Sequence, residues 1–161
     1  MTVEYLEEIA YKFRETLDWV VDKRLYGRLN IFANFPKECC RYTSDLLAEY
    51  MMEKGIPREQ IQMVESVTKK EEYSHCWLMV NDFYYVDITA DQFNGKKYFS
   101  KYEPIPICYV TSNTMEYLYD SFDWRRTEHI RNIGIDSYGG DISIKLRSLY
   151  DVIIQNINED K

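Results

Sequence analysis

The chain has little glycine or proline, few cysteines and almost no histidine: 6 Gly, 4 Pro, 4 Cys and 2 His in 161 residues. So little glycine and proline excludes a collagen-like or low-complexity chain. Four cysteines, Cys39, Cys40, Cys76 and Cys108, are too few for a disulfide scaffold. Two of them are adjacent, and neighbours in sequence bridge each other only with strain. Free thiols in a reducing cytoplasm are therefore expected. Basic residues are outnumbered as well, 20 Lys and Arg against 27 Asp and Glu, for a net charge of −7. That field repels phosphate backbones, so nucleic acid is not an expected partner. No apolar run approaches the roughly 18 residues of a membrane helix. Residues 1–21 scatter Glu4, Glu7, Glu8 and Asp18 among their apolar positions, unlike a secretory leader, and read as mature protein. Paired metal-ligand spacings and a glycine-rich phosphate loop are missing too, so neither metal nor cofactor is expected.

What is present is a core. Hydrophobic residues make up 45% of the chain and include 15 tyrosines, expected to pack at half-buried positions. With no linker, repeat or low-complexity tract, residues 1–161 read as one domain. Residues 3–26 place Leu6, Ile9, Phe13, Leu17 and Val20 at helical spacing. Residues 29–37 read as a loop. A second helix starts at Cys40 and stops at Gly55-Ile56-Pro57, glycine suiting a left-handed cap and proline ending the turn. The period then changes to two, predicting strands over 60–67, 74–80, 84–89 and 105–111, with a tight turn at Asn81-Asp82. Residues 114–131 have patchy helical character, which makes His129 a surface helical histidine. Asp141 is expected to cap a last helix with Ile142, Leu146, Leu149, Ile153 and Ile157 on one stripe. Helices, then a consecutive antiparallel sheet, then helix again predicts an α+β fold.

Three residues carry chemistry when taken together. Cys40 opens a helix, where unpaired N–H groups and the macrodipole favour the thiolate, the nucleophilic form. His75 lies on a predicted strand with Trp77 and Met79 on the same face, and Asp87 lies on the next strand. A hairpin closed at Asn81-Asp82 sets opposite residues whose numbers sum to about 163, which puts His75 across from Ile88. A register shifted by one or two residues brings Asp87 beside the imidazole, where a carboxylate orients the ring.

The run Cys40-Arg41-Tyr42-Thr43-Ser44-Asp45-Leu46-Leu47, continuing to Gly55-Ile56-Pro57, resembles the nucleophile helix of transglutaminase-like proteins. In that family a cysteine begins a helix, a small residue follows four positions on, leucines come next, and Gly-Ile-Pro closes it. The second family block, His-x-Trp followed by a strand, a turn and Asp-x-Thr, is matched by His75-Cys76-Trp77 and Asp87-Ile88-Thr89. The resemblance covers residues 36–93, about a third of the chain. It implies a papain-like fold whose nucleophile helix packs on an antiparallel sheet, with Cys40 as nucleophile, His75 as general base and acid, and Asp87 as orienter. The implied reaction is amide hydrolysis or acyl transfer on a protein or peptide through a thioester. The spacing to Gly55 and the offset of Ser44 select Cys40 over Cys39.

Supporting candidates are Asn34, at the offset where papain-like peptidases carry an oxyanion glutamine, together with Gln92 and Trp77. The chain departs from the pattern at Glu38, where the family commonly has glycine, and at Arg41, where it has an aromatic or small residue. Those departures and the many tyrosines motivate an alternative, a catalytically silent fold that binds proteins.

Overall fold

A computed structural model describes residues 1–112 and 118–159. Helix α1 (Val3–Asp22) starts where the Thr2 hydroxyl accepts the Tyr5 N–H at 3.1 Å, and it buries the expected stripe from Leu6 to Val20. It ends four residues short of its expected limit, at a C-cap on Lys23 followed by Arg24 in the left-handed region (φ 59°). A short 3-10 helix, Asn30–Asn34, occupies the segment read as loop. Helix α2 (Cys40–Glu53) ends in a Schellman cap: Gly55 takes φ 96°, Ile56 N–H donates to Met51 O, and Gly55 N–H donates to Met52 O. Strands β1 (Ile61–Val67), β2 (Ser74–Val80) and β3 (Tyr84–Asp87) follow as a meander.

The next predicted strand forms only as β4 (Tyr109–Ser112), four residues later than expected. Pro104 and Pro106 have no N–H to give a ladder, which excludes residues around them. The helical reading of 114–131 is overturned. Its positions 114–117 lie outside the described residues. The rest forms 3-10 turns at Leu118–Ser121 and Trp124–Arg126 and then strand β5 (Glu128–Ile130). Leu118 and Phe122, four apart, mimic a helical stripe, yet both are buried from these turns against the sheet. His129 is consequently a strand residue, opposite Val64 of β1, with Nδ1 3.1 Å from Gln62 Oε1. Helix α3 (Gly140–Glu159) closes the chain and buries Leu146, Leu149, Ile153 and Ile157.

The five strands run β4-β3-β2-β1-β5, antiparallel throughout, and the class is α+β as expected. Alternation sorts the side chains between two layers. Ile61, Met63, Cys76, Leu78, Val80 and Val86 face α1, α2 and α3, joining Phe13, Leu17, Leu46, Met51 and Leu149 in one core. Val64, Trp77 and Met79 point the other way. They are covered by 3-10 segments at Ala90–Phe93 and Lys97–Tyr102 carrying Phe93 and Phe99, which stack at 4.2 Å. Tyr73, Tyr85, Tyr98, Tyr102, Tyr109 and Tyr119 pack around this second core, which accounts for much of the tyrosine content. Among the described residues no helix is long and apolar enough to cross a membrane.

Candidate active site

Cys40 is the first residue of α2, with Cys39 at the N-cap and no acidic side chain in the first turn. The free N–H groups and positive end of the helix dipole therefore act on Cys40 unopposed from within its own turn. The preceding Glu38 has φ 66°. This left-handed conformation is the kind glycine adopts freely, and here it carries a glutamate side chain.

The β2–β3 hairpin fixes the second half of the site. Leu78 pairs with Val86, Met79 with Tyr85 and Val80 with Tyr84, so partners sum to 164 and the connection is the three-residue Asn81-Asp82-Phe83. Asn81 and Asp82 both take positive φ, which their short polar side chains tolerate. The one-residue difference from the expected register matters. Extended along the strands, it sets Asp87 across from Trp77, on the face that also carries His75. His75 Nε2–H donates to Asp87 Oδ2 at 2.6 Å, with both side chains fully buried.

Asp87 is saturated with donors. Thr89 supplies its N–H (2.9 Å) and its hydroxyl (3.3 Å) to Oδ1, and Tyr119 OH donates to Oδ2 at 2.9 Å. A carboxylate held by four donors is fixed in orientation beside the imidazole. Trp77 stacks on Tyr119 at 4.5 Å and lies 5.7 Å from the His75 ring. It is a wall of the site, buried under that ring system, and does not reach the cleft.

Nδ1 is the His75 nitrogen not engaged by Asp87, and the residue lines, with Cys40, one hollow of about 400 Å³ together with Glu65, Ser66, Cys76 and Arg126. Cys40 also borders a second hollow of about 800 Å³, lined among others by Asn34, Lys37, Tyr73, Gln92 and Lys96. Cys40 thus lines both hollows. Both amides singled out from sequence are in the larger hollow. Gln92 Nε2 is 3.2 Å from His75 Nδ1 and donates to Thr89 O at 3.0 Å. Asn34 Nδ2 is turned to Glu38 Oε2 at 3.0 Å.

Electrostatics separate the thiols. The Cys76 thiol beside it and then the His75 imidazole hold the Cys40 thiol well below its ordinary value, overcoming burial. Burial works against charge on His75. The Asp87 carboxylate, by charge and hydrogen bond, and the Cys40 sulfur push the ring up to about 10 all the same. Burial pushes Cys39 up to about 12 and Cys108 likewise to about 12. Cys76 is held far up by the neighbouring Cys40 sulfur and by burial. The arrangement favours thiolate on Cys40 and a proton on His75, and it favours Cys40 over Cys39 as nucleophile.

Sequence reasoning missed three contributors. Tyr119 lies in a segment with a helical pattern, and nothing local marks one tyrosine of fifteen as a partner for Asp87. Cys76 alternates onto the helix-facing side of β2, and its position opposite Glu65 needs the β1–β2 register. Arg14, by contrast, left a signal: it interrupts the apolar stripe between Ala10 and Leu17. It is buried, clasps Asp91 with two N–H groups at 2.7 and 2.9 Å, and donates to Ile88 O and Ile107 O. That clasp ties α1 to the 3-10 segment bearing Gln92. Arg41 bonds Glu65 at 2.8 Å across the groove edge. Among the described residues no group of three or more His, Cys, Asp or Glu side chains is placed to hold a metal ion. Comparison with family models, with curated proteins and with solved structures finds no match for this chain.

Proposed function

We propose that the chain is a cysteine-dependent acyl-transfer enzyme of the transglutaminase-like, papain-like group, an amide hydrolase or acyltransferase acting on a protein or peptide. The observation that carries this reading is the buried His75–Asp87 bond at 2.6 Å, with Cys40, at a helix start, lining the same hollow as His75.

In the cycle, the Cys40 thiolate attacks the carbonyl carbon of an amide lying in the groove. The developing oxyanion meets the Cys40 backbone N–H and an amide from the larger hollow, Gln92 or Asn34. Each such donor contributes roughly 10²–10³ in rate. His75 gives its Nδ1 proton to the departing amine, worth about 10²–10⁴, and a thioester on Cys40 remains. Water or an amine entering from the other hollow then yields its proton to Nδ1 and releases the acyl group. Asp87 keeps Nε2 occupied throughout, so only Nδ1 exchanges protons.

The alternative, a silent binding module, is less well supported by the geometry. Nothing about protein docking calls for a fully buried histidine–carboxylate pair with every lone pair engaged. The test is incubation with a glutamine-rich protein and a primary amine, followed by mass spectrometry. Cleavage, deamidation or amine incorporation is expected from the wild type and lost in Cys40→Ala and His75→Ala. Equal product from wild type and Cys40→Ala overturns the proposal.

A further inference from the structure

Cys76 is the thiol with no part in that cycle. It stands 5% exposed at the floor of the hollow that Cys40 borders, and its Sγ–H donates to Glu65 Oε2 at 3.5 Å. A second thiol lining the same hollow as a nucleophilic sulfur, and hydrogen-bonded to a carboxylate, is placed as a resolving cysteine needs to be. Cys39 is badly placed for that part. It is adjacent in sequence, so a bridge to Cys40 is strained, and its side chain is buried at the N-cap. Cys108 borders a different hollow, among Glu4, Glu7, Glu8 and Tyr11.

We propose that Cys40 and Cys76 form a reversible inactivating disulfide, Cys76 resolving the sulfenic acid that a hydroperoxide makes on Cys40. This rests on the reading of Cys40 as a reactive thiolate. In the first step the Cys40 thiolate attacks one oxygen of the hydroperoxide. An S–O bond forms and the O–O bond breaks. The leaving oxygen takes the His75 proton, and sulfur is oxidised by two electrons as the peroxide is reduced. In the second step the Cys76 thiol passes its proton to Glu65 and its sulfur attacks the Cys40 sulfur. The S–O bond breaks, the leaving hydroxide takes the proton that Glu65 received from Cys76, and water leaves. Net, one hydroperoxide is consumed and two thiols lose two hydrogens.

The two steps are coupled through the Cys40 sulfur. While Cys40 is a thiolate, the hydrogen bond that Cys76 makes to its sulfur, then burial and then the Cys40 charge keep the proton on Cys76. Sulfenic acid is neutral, so oxidation of Cys40 removes the thiolate's share of that restraint and leaves burial. The same groove that exposes Cys40 to substrate admits a small peroxide, and a disulfide there blocks the nucleophile while sparing it from irreversible sulfinic acid.

The test treats the reduced full chain with a small excess of hydrogen peroxide at neutral pH, blocks free thiols with N-ethylmaleimide, and maps the digest by mass spectrometry. The expected product is a Cys40–Cys76 linked peptide pair, lighter by two hydrogens and restored by dithiothreitol. In Cys76→Ser, dimedone should trap sulfenic acid on Cys40, and sulfinic acid should accumulate with time. Wild type in which Cys40 instead advances to sulfinic acid, or bridges Cys39, overturns the inference even where Cys40 alkylates as a thiolate at mildly acidic pH. Loss of that alkylation, measured on the same preparation with iodoacetamide, overturns the thiolate reading itself, and the inference with it.

Discussion

If folding holds Cys40 as a thiolate, its alkylation rate should hardly change between about pH 5.5 and about pH 8.5, with iodoacetamide as probe and each thiol followed by mass spectrometry. An ordinary thiol near 8.5 is roughly 0.1% ionised at the lower limit and about half ionised at the upper, so its rate climbs about 500-fold. Cys40, already ionised, should change less than about twofold. Absolute speed is a poor criterion, because each unit removed from a thiol's pKa costs roughly threefold in nucleophilicity. The sign is fixed by the two partners. The Cys40 value is lowered, so its thiolate persists upward from acid pH and is lost only as pH falls through that depressed value. The His75 value is raised, so its proton persists below about 10 and is lost as pH rises through it. The pair therefore spans the whole range. Asp87→Asn removes the carboxylate charge that sustains the imidazolium, and the Cys40 profile should steepen toward the ordinary one. A hundredfold rise in wild-type Cys40 labelling over that range would refute the ion-pair reasoning.

Three further outcomes test the supports of the site. Asp45 of α2 is buried, accepts Gly134 N–H at 2.8 Å and Tyr138 OH at 2.6 Å, and is pushed up to about 6 chiefly by burial. The stability it contributes is fully present below about 3.8 and is lost as pH rises through about 6. Linkage then makes its contribution about 1.4 kcal/mol larger at pH 5 than at pH 8. Asp45→Asn should erase that difference in urea unfolding, and an unchanged difference counts against the assignment. Tyr119→Phe keeps the ring on Trp77 and deletes one donor to Asp87, so urea unfolding should report a loss of about 2 kcal/mol; no loss would mean the bond is idle. Glu38→Gly trades about 1 kcal/mol of left-handed strain against about 0.5–1 kcal/mol of glycine entropy. Its melting temperature should stay near wild type while the Asn34 amide is freed, and a drop corresponding to more than about 2 kcal/mol would show that the Glu38 side chain is structurally required.

The parts of this molecule legible in its sequence are those set by local chemistry. α2 could be delimited because Gly55 allows a left-handed cap and Pro57 cannot continue a helix. β2 could be delimited because Ser74 to Val80 alternates between two cores that are both apolar. The segment after residue 114 misled because Leu118 and Phe122 satisfy a helical spacing while both belong to the second core, where Phe122 meets Trp77 and Phe93 from elsewhere in the chain. Tyr119 and Cys76 were invisible for the same reason: each acts through a contact dozens of residues away or across a strand register. The hairpin shows how small the missing information was. A loop of two residues turns Asp87 toward the helices, whereas Asn81-Asp82-Phe83, one residue longer, turns it onto the face of His75.

His75 Nδ1 is where the site's demands meet. Gln92 offers it a donor, which suits a neutral ring, while Asp87 and Cys40 favour a charged one. The Gln92 amide cannot simply turn to accept, because its Nε2 is committed to Thr89 O at 3.0 Å. A neutral hydrogen bond contributes about 1 kcal/mol, whereas charge-assisted contacts are roughly twice as strong, so the charged ring prevails while Cys40 is a thiolate. In the proposed thioester the sulfur carries no charge, and one of the two groups that raise His75 is gone. The Gln92 contact then weighs on the side of a neutral ring, the form that accepts a proton from incoming water or amine. On this account the glutamine sets when His75 is a base, and its value to the cycle lies after acylation.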